Sequence, residues 1–513
     1  MDYEQYNATD VGAGGSLQAK SRGYAQIWGT FAPQNSSSRG LCTNNYQVLH
    51  ILQVCNYTTR GKSGVSDGAK LFDARRSDAS DSSVARTEVE GGRSRATAIH
   101  RSDWHRAEVT MCSITSHVDP RRLVGMTIQE HGARDSGVRA GEHRREILQR
   151  RFQDRPLLVF WEMTKACDLA CSHCRADAQS ERGPRELTTE EGRRMIDSLA
   201  VLASPRPILI LTGGDCLKRP DLVELVDYAR AAQLPVALAP SVTPLLTRVR
   251  MDELRRHGIS TVSISLDGMD ATTHDAVRGV QGHFTATMIA LNQLKDAGFT
   301  VQINTTVMAT NVEQLADVAK ILRDLRIDIW EVFFLIPTGR GIDVNASSPQ
   351  QNEDICNFLV DASQYGFVVR AVEGPFLRRV SQERQNRIGG PATSELYGRL
   401  AARLRDVLGP PTHDVCAPSA ATRDGNGIVF VGATGDVYPS GFLPLAQGNV
   451  RQTSLIDIYR DSPIMKAIRD AAFHGVCGQC ASRQLCGGSR SRAFAVSGDP
   501  LGSDPACILV GAA

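Results

Sequence analysis

The stretch LLVFWEMTKACDLACSHCRADA (157–178) decides the reading of this chain. It opens on LLVFWEMT (157–164), apolar enough for a strand of a parallel sheet whose outer face is covered. The chain then turns polar and presents Cys167, Cys171 and Cys174, spaced x3 and x2. That spacing also fits one face of a helix, where cysteine serves as a small hydrophobe. The polar neighbours Asp168, Ser172, His173 and Arg175 make such a face a poor one to bury. Structural zinc takes four ligands and favours CxxC pairs. Three thiolates instead match a [4Fe–4S] cluster with one iron left without a protein ligand. An open metal position marks a catalytic site.

Working outward, five further apolar runs follow: PILILT (207–212), PVALAP (235–240), STVSISLD (260–267), TVQINTTV (300–307) and WEVFFLIP (330–337). Amphipathic stretches separate them, among them TTEEGRRMIDSLAVLA (188–203), RPDLVELVDYARAA (219–232) and NVEQLADVAKILRDL (311–325). Pro220 and Asp221 suit a first helical turn, and Gly298 suits a helix end before the fifth strand. Strand–helix alternation of this kind predicts an α/β fold, a partial (β/α)6 TIM-type barrel over 151–345, with its chemistry at the C-terminal ends of the strands. A helical connector is expected over 346–409. A small cysteine-rich domain is expected over 410–513, opened by a hairpin in GIVFVGATGDVYPSG (427–441) that turns near Thr434-Gly435.

Residues 1–150 differ. They are rich in Ser, Gly, Arg, Asp and Thr, as in RGKSGVSDGAK (60–70), and their sparse apolar residues follow no period. The expectation is a disordered or non-native N-terminal extension. A start of translation near Met126 is the alternative. The chain has 513 residues, a formal net charge of +2 and no apolar run long enough to span a bilayer, so neither a nucleic-acid nor a membrane partner is expected. The N-terminus lacks the blocks of a signal peptide, which makes a cytoplasmic protein the default. The 13 cysteines are then poor candidates for disulfides. Cys42, Cys55, Cys112 and Cys356 are scattered and read as incidental thiols.

The loop Cys167-x3-Cys171-x2-Cys174 after a first strand resembles the signature of the radical SAM superfamily, over residues 157–345 with a related tail to about 510. The resemblance implies that S-adenosylmethionine (SAM) chelates the open iron. One electron, from a donor such as flavodoxin or ferredoxin, then cleaves it to methionine and a 5′-deoxyadenosyl radical. It also implies cofactor-binding positions. His173 stands where the family has an aromatic against adenine. Gly213, Gly214 and Asp215 of LTGGD stand where relatives hold the SAM amino group. Ser265 and Asp267 stand where relatives contact the ribose and methionyl part, and Asn304 faces the sulfonium region. Asp267-Gly268 reads equally as a plain turn, and Arg340 in LIPTGRG (335–341) either pairs bidentately with a carboxylate or is a solvated loop arginine. Cys216 replaces the usual proline, without an evident reason.

VCGQCASRQLCGGSRSRAFAVSGDPLGSDPAC (476–507) carries Cys477, Cys480, Cys486 and Cys507. It resembles the SPASM or twitch type of auxiliary-cluster extension. The full pattern has further cysteines where this chain has Ser440 and Arg490, so one auxiliary [4Fe–4S] cluster is implied rather than two. Zinc is the alternative for four cysteines alone, and Cys416 competes with Cys507 as the fourth ligand. The combination with YPSGFLPL (438–445) is most similar to the alternative heme and heme d1 biosynthesis subgroup. That implies a small-molecule substrate, a tetrapyrrole among the candidates. A ribosomal peptide or quinone-cofactor precursor is the alternative within the chemistry, and a non-catalytic zinc or iron–sulfur protein the alternative outside it. No general base, nucleophile or substrate residue is legible.

Overall fold

Each of the six apolar runs forms a strand in the computed structural model, which describes residues 152–390, 392–412 and 422–511. The expectations for 1–150 and the candidacy of Cys416 lie outside the described residues. The strands are β1 (Leu158–Glu162), β2 (Ile208–Thr212), β3 (Val236–Leu238), β4 (Thr261–Ser265), β5 (Thr300–Val307) and β6 (Ile329–Phe334). They pair in parallel and in sequence order, with Leu158 opposite Ile208 and Ser265 opposite Asn304. Helices α1 (Thr189–Ala200), α2 (Leu222–Ala231), α3 (Arg248–Arg256), α4 (Ala271–Arg278), α5 (His283–Asp296) and α6 (Leu315–Asp324) return the chain between them.

Local chemistry sets these boundaries. Thr188 and Glu191 form a reciprocal capping box at the start of α1. Pro220 and Asp221 stand just before α2, not in its first turn, because Asp221 turns its carboxylate to Arg219 and Thr189. Gly298 takes φ +78° two residues beyond the end of α5, directly after the C-cap Ala297.

Alternation along the strands divides the sheet into two faces. Val159, Trp161, Leu209, Leu211, Val262, Ile264, Val301, Ile303, Trp330 and Val332 join the core shared with the helices. Ser263, Ser265, Asn304, Thr306 and Phe333 point the other way, into one cavity of about 230 Å³. Residues from β2, β4, β5 and β6 can line one cavity only if the sheet curves around it as a barrel wall.

Two elements extend the barrel. Strand β7 (Val368–Val372) follows α7 (Pro349–Ala362) and pairs in parallel with β6. The segment 346–409 therefore carries a strand along with its helices α7, α8 (Phe376–Gln385) and α9 (Glu395–Leu408). Strand β8 (Ile428–Val431), the first arm of the hairpin, pairs in parallel with β1 and antiparallel with β9 (Asp436–Tyr438). Gly435 turns the hairpin at φ +87°. With β10 (Gly448–Asn449) the order is β10-β9-β8-β1-β2-β3-β4-β5-β6-β7, an open barrel with β10 and β7 at its edges.

The tail continues through α10 (Leu455–Asp461), α11 (Pro463–Arg469), α12 (Gly475–Gln479), α13 (Arg490–Ser497) and α14 (Ile508–Gly511). It docks on the catalytic end of the barrel. Arg492 pairs with Asp504 at 3.2 Å and donates to the carbonyls of Phe334 and Leu335 at the end of β6. Ser491 donates to Glu373, just past β7, at 3.0 Å. No described helix is long and apolar enough to cross a membrane.

Candidate active site and cysteine-rich tail

The loop after β1 is held by backbone at every turn. Gly214 N donates to Thr164 O at 2.8 Å and Asp215 N to Ala166 O at 2.7 Å. A Cβ on Gly213 would meet Thr164 O at 2.5 Å, and one on Gly214 would meet Ala166 O at 2.4 Å. The two glycines are therefore required where strand β2 passes the cysteine loop. On the far side, Gly339 brings the chain after β6 against the Cys174 carbonyl, and Arg340 donates to the carbonyls of Cys171 and Ala178. Arg340 is thus a clip on the cysteine loop, not a solvated side chain.

Cys167, Cys171, His173 and Cys174 all line the cavity, with Gly213, Gly214, Ser265 and Asn304 opposite. Leu169 N donates to Cys167 Sγ at 3.4 Å, and Arg278 Nη1 to Cys171 Sγ at 3.6 Å. These donors suit thiolates. Burial pushes the Cys167 thiol up, so a metal is what would draw off its proton. Among the described residues no group of His, Cys, Asp and Glu is drawn up around one metal ion. The three cysteines that line the cavity are the number a [4Fe–4S] cluster with one open iron would take. Burial lowers His173 to about 4, so the ring is neutral, and its buried Nδ1 has no partner among the described residues.

Two of the expected cofactor-binding residues do not reach the cavity. Asp215 is fully buried and accepts from Leu217 N, Ser241 N and Thr243 Oγ, so its carboxylate serves the turn after β2. A shorter stem than glutamate's keeps it there. Asp267 is also fully buried; it pairs with Arg278 and accepts from Thr306 N at 2.7 Å. Burial works to raise its pKa, but Arg278 and then His173 outweigh that and hold it below the usual carboxylate range.

Their partners are the residues that sequence reading passed over. Ser241, just past β3, donates to Gly214 O at 2.9 Å and lies 3.6 Å from Cys167 Sγ. Arg278 ends α4 and joins Asp267 to Cys171. His283 also lines the cavity; it bonds His274 at 2.8 Å and Val242 O at 3.0 Å. A serine after a strand end was the one available signal. Cys216 is wholly buried in the main core, and burial pushes its thiol well above the ordinary value.

The tail gathers a second set. Backbone amides donate to three sulfurs: Asp504 N to Cys477 at 3.4 Å, Ser482 N to Cys480 at 3.4 Å and Gly488 N to Cys486 at 3.5 Å. Leu509 supplies the same contact to Cys507. Gly487 and Gly488 take φ +70° and +65°, and a Cβ on Gly488 would stand 3.2 Å from Cys477 Sγ. Cys507 stands close enough to Cys477 and Cys486 for the thiols to act on one another. Burial pushes Cys486 to about 12 and Cys507 to about 11. Cys356 is fully buried on α7, close enough for Cys486 and Cys507 to raise its thiol further. Ser440 and Arg490 fill two positions where the two-cluster pattern has cysteine; Ser440 Oγ bonds Ser491 Oγ at 3.1 Å.

An open, mostly parallel barrel whose first loop turns three thiols into a cavity at the C-terminal ends of its strands has the architecture of a barrel enzyme. Residues 161–325 match the family model described as "Radical SAM superfamily". The chain is 36% identical over 354 residues to the AdoMet-dependent heme synthase of Oleidesulfovibrio alaskensis, covering 68% of this chain and 86% of that one. It is 35% identical over 355 residues to the AdoMet-dependent heme synthase of Methanosarcina barkeri, covering 69% and 96%. Among solved structures, Streptococcus suis SuiB bound to S-adenosylmethionine matches with a TM-score of 0.51 at 14% identity, over 75% of this chain and 84% of that one, which speaks to the fold. The chain belongs to the radical SAM superfamily. It is an enzyme whose cofactors are a [4Fe–4S] cluster and SAM.

Proposed function

We propose that this enzyme acts on a tetrapyrrole, with Cys167, Cys171 and Cys174 holding the SAM-binding cluster and Cys477, Cys480, Cys486 and Cys507 an auxiliary [4Fe–4S] cluster. When bound, the first cluster and SAM supply a one-electron cleavage that yields the 5′-deoxyadenosyl radical; flavodoxin or ferredoxin is the class of donor. The observation that carries the reading is the cavity itself. Cys167, Cys171 and Cys174 line it together with His173, Ser263, Ser265 and Asn304. Those polar groups are placed to orient SAM, with His173 against its adenine. Gly213 and Gly214 hold the loop rather than contact charge, and Asp215 and Asp267 act from behind, through Ser241 and Arg278. The tetrapyrrole follows from likeness to enzymes named AdoMet-dependent heme synthase over two thirds of the chain.

The test is anaerobic. Iron-reconstituted protein with dithionite and SAM should release 5′-deoxyadenosine, and an iron porphyrin bearing propionates should speed that release and lose carboxyl groups by mass spectrometry. Release of 5′-deoxyadenosine with every tetrapyrrole tried left unchanged would refute the substrate and leave the cleavage chemistry standing.

A further inference from the structure

Four strands set one polar row across the inside of the barrel. In register, Ser265 of β4 lies opposite Asn304 of β5, Asn304 opposite Glu331 of β6, and Glu331 opposite Arg370 of β7. Ser265 and Asn304 line the cavity; Glu331 and Gln302 are not among its lining residues. Gln302 stands one pleat deeper than Asn304 on the same face of β5. Its Nε2 donates to Asn304 Oδ1 at 2.8 Å and to Glu331 Oε2 at 2.7 Å.

A carboxylate inside a barrel costs stability that an apolar side chain would not. Burial raises the Glu331 carboxyl, and Arg370 and Gln302 oppose that. What the carboxylate supplies is polarity. It only accepts, so Gln302 turns its NH2 group toward it. The second hydrogen of that group goes to Asn304 Oδ1, which leaves Asn304 Nδ2 for the cavity. That nitrogen only donates, and it meets no acceptor among the described residues.

We propose that Gln302 and Glu331 are positioning residues that lock the Asn304 amide as a hydrogen-bond donor, so that Asn304 binds an acceptor oxygen of SAM and not its sulfonium. A sulfonium is positively charged and a poor partner for an N–H group. The acceptor oxygens of SAM are those of its carboxylate and its ribose. Such a contact replaces the sulfonium contact that the resemblance implied for Asn304. The proposal rests on the reading above that SAM lies in this cavity against Asn304.

The experiment is anaerobic equilibrium dialysis of the full-length, iron-loaded protein without reductant, at pH ~8, above the carboxylate range. The probes are SAM and S-adenosylhomocysteine, which keeps the carboxylate and the ribose but carries no charge on sulfur. Asn304→Ala should weaken both probes by one factor, roughly two- to tenfold for a single hydrogen bond. Asn304→Asp, which exchanges the donor for a carboxylate, should weaken both further. Glu331→Gln keeps the size but donates as well as accepts; it should also weaken both, and should add nothing in the Asn304→Ala background. Tighter binding of SAM alone in Asn304→Asp would put the side chain at the sulfonium and overturn the proposal. Wild-type affinity in Glu331→Gln would overturn it, and so would an equal loss with and without Asn304, since Glu331 would then act on the fold at large. Should Glu331→Gln not fold, Gln302→Met carries the same comparison. Asn304→Ala that binds both probes as wild type does is a different failure: it removes the reading that SAM meets Asn304, and the proposal with it.

Discussion

Arg278 Nη1 lies 3.6 Å from Cys171 Sγ. Its other arm pairs with Asp267, which is wholly buried, so the guanidinium answers a carboxylate and a cluster thiol at once. Removing it strands Asp267. Arg278→Met should cost about 3–5 kcal/mol in denaturant unfolding of the iron-loaded protein, the usual cost of breaking a buried pair from one side. Asp267→Asn combined with Arg278→Met should recover a large part of that. A single variant that unfolds at the wild-type midpoint would show that the pair contributes nothing to stability.

Cys167→Ala, Cys171→Ala and Cys174→Ala should each abolish dithionite-dependent formation of 5′-deoxyadenosine, because a cluster with three protein ligands has none to spare. Wild type should carry about eight irons per chain, and the triple variant about four, retained by the tail. Turnover at the wild-type rate in any of the three single variants would be fatal to the ligand assignment.

Gly214→Ala should cost soluble, iron-loaded protein, because its methyl would sit 2.4 Å from Ala166 O and 2.7 Å from Lys165 O, both backbone atoms. Gly398→Ala is the control. Gly398 lies inside α9 with nothing within 4 Å of a Cβ, so alanine should gain about 0.5–1 kcal/mol from helix propensity. Iron content and thermal midpoints of the two variants would separate a steric demand from a general tolerance of alanine.

Burial, reinforced by the Arg278 charge, holds His274 at about 3 against an ordinary 6.5, and burial lowers His283 too. Below its ordinary value each histidine takes a proton in the unfolded chain that the fold refuses. Stability is therefore full above 6.5 and declines as pH falls toward 3, the folded value of His274. Thermal midpoints from pH ~7.5 to ~5.5, above the carboxylate range, should show the decline. His274→Gln should make it shallower, since glutamine does not titrate, while His173 and His283 keep their share. An equal slope in the variant would exclude His274 as a source.

The barrel was legible because each of its first six strands is a short apolar run between helix-period stretches, and the cysteine loop because its spacing is rare. Strand β7 was not, since VVRAV carries Arg370 at its centre and sits amid helical sequence. The parallel pairing of β8 with β1 leaves no local trace, because register between segments far apart in the chain depends on tertiary packing. In the site, Asp215 and Asp267 were legible as residues at strand ends, but not the direction of their carboxylates. Ser241 and Arg278 belong to no motif; they matter through what they touch. Strands β4 and β5, read as apolar throughout, alternate in fact, with Ser263, Ser265, Asn304 and Thr306 turned inward.

The pairing of Leu158–Trp161 with Ile428–Val431 also bears on how the protein is made. One edge of the strand that leads into the cysteine loop stays open until its partner emerges from the ribosome, 428 − 158 = 270 residues later. At typical rates of synthesis that interval is roughly 15–55 s. Through it the nascent chain exposes an unpaired edge beside the three thiols of the cysteine loop. The barrel wall is completed only after translation has passed the hairpin, and a chain truncated before Ile428 would keep the three-cysteine loop without the strand that closes its flank.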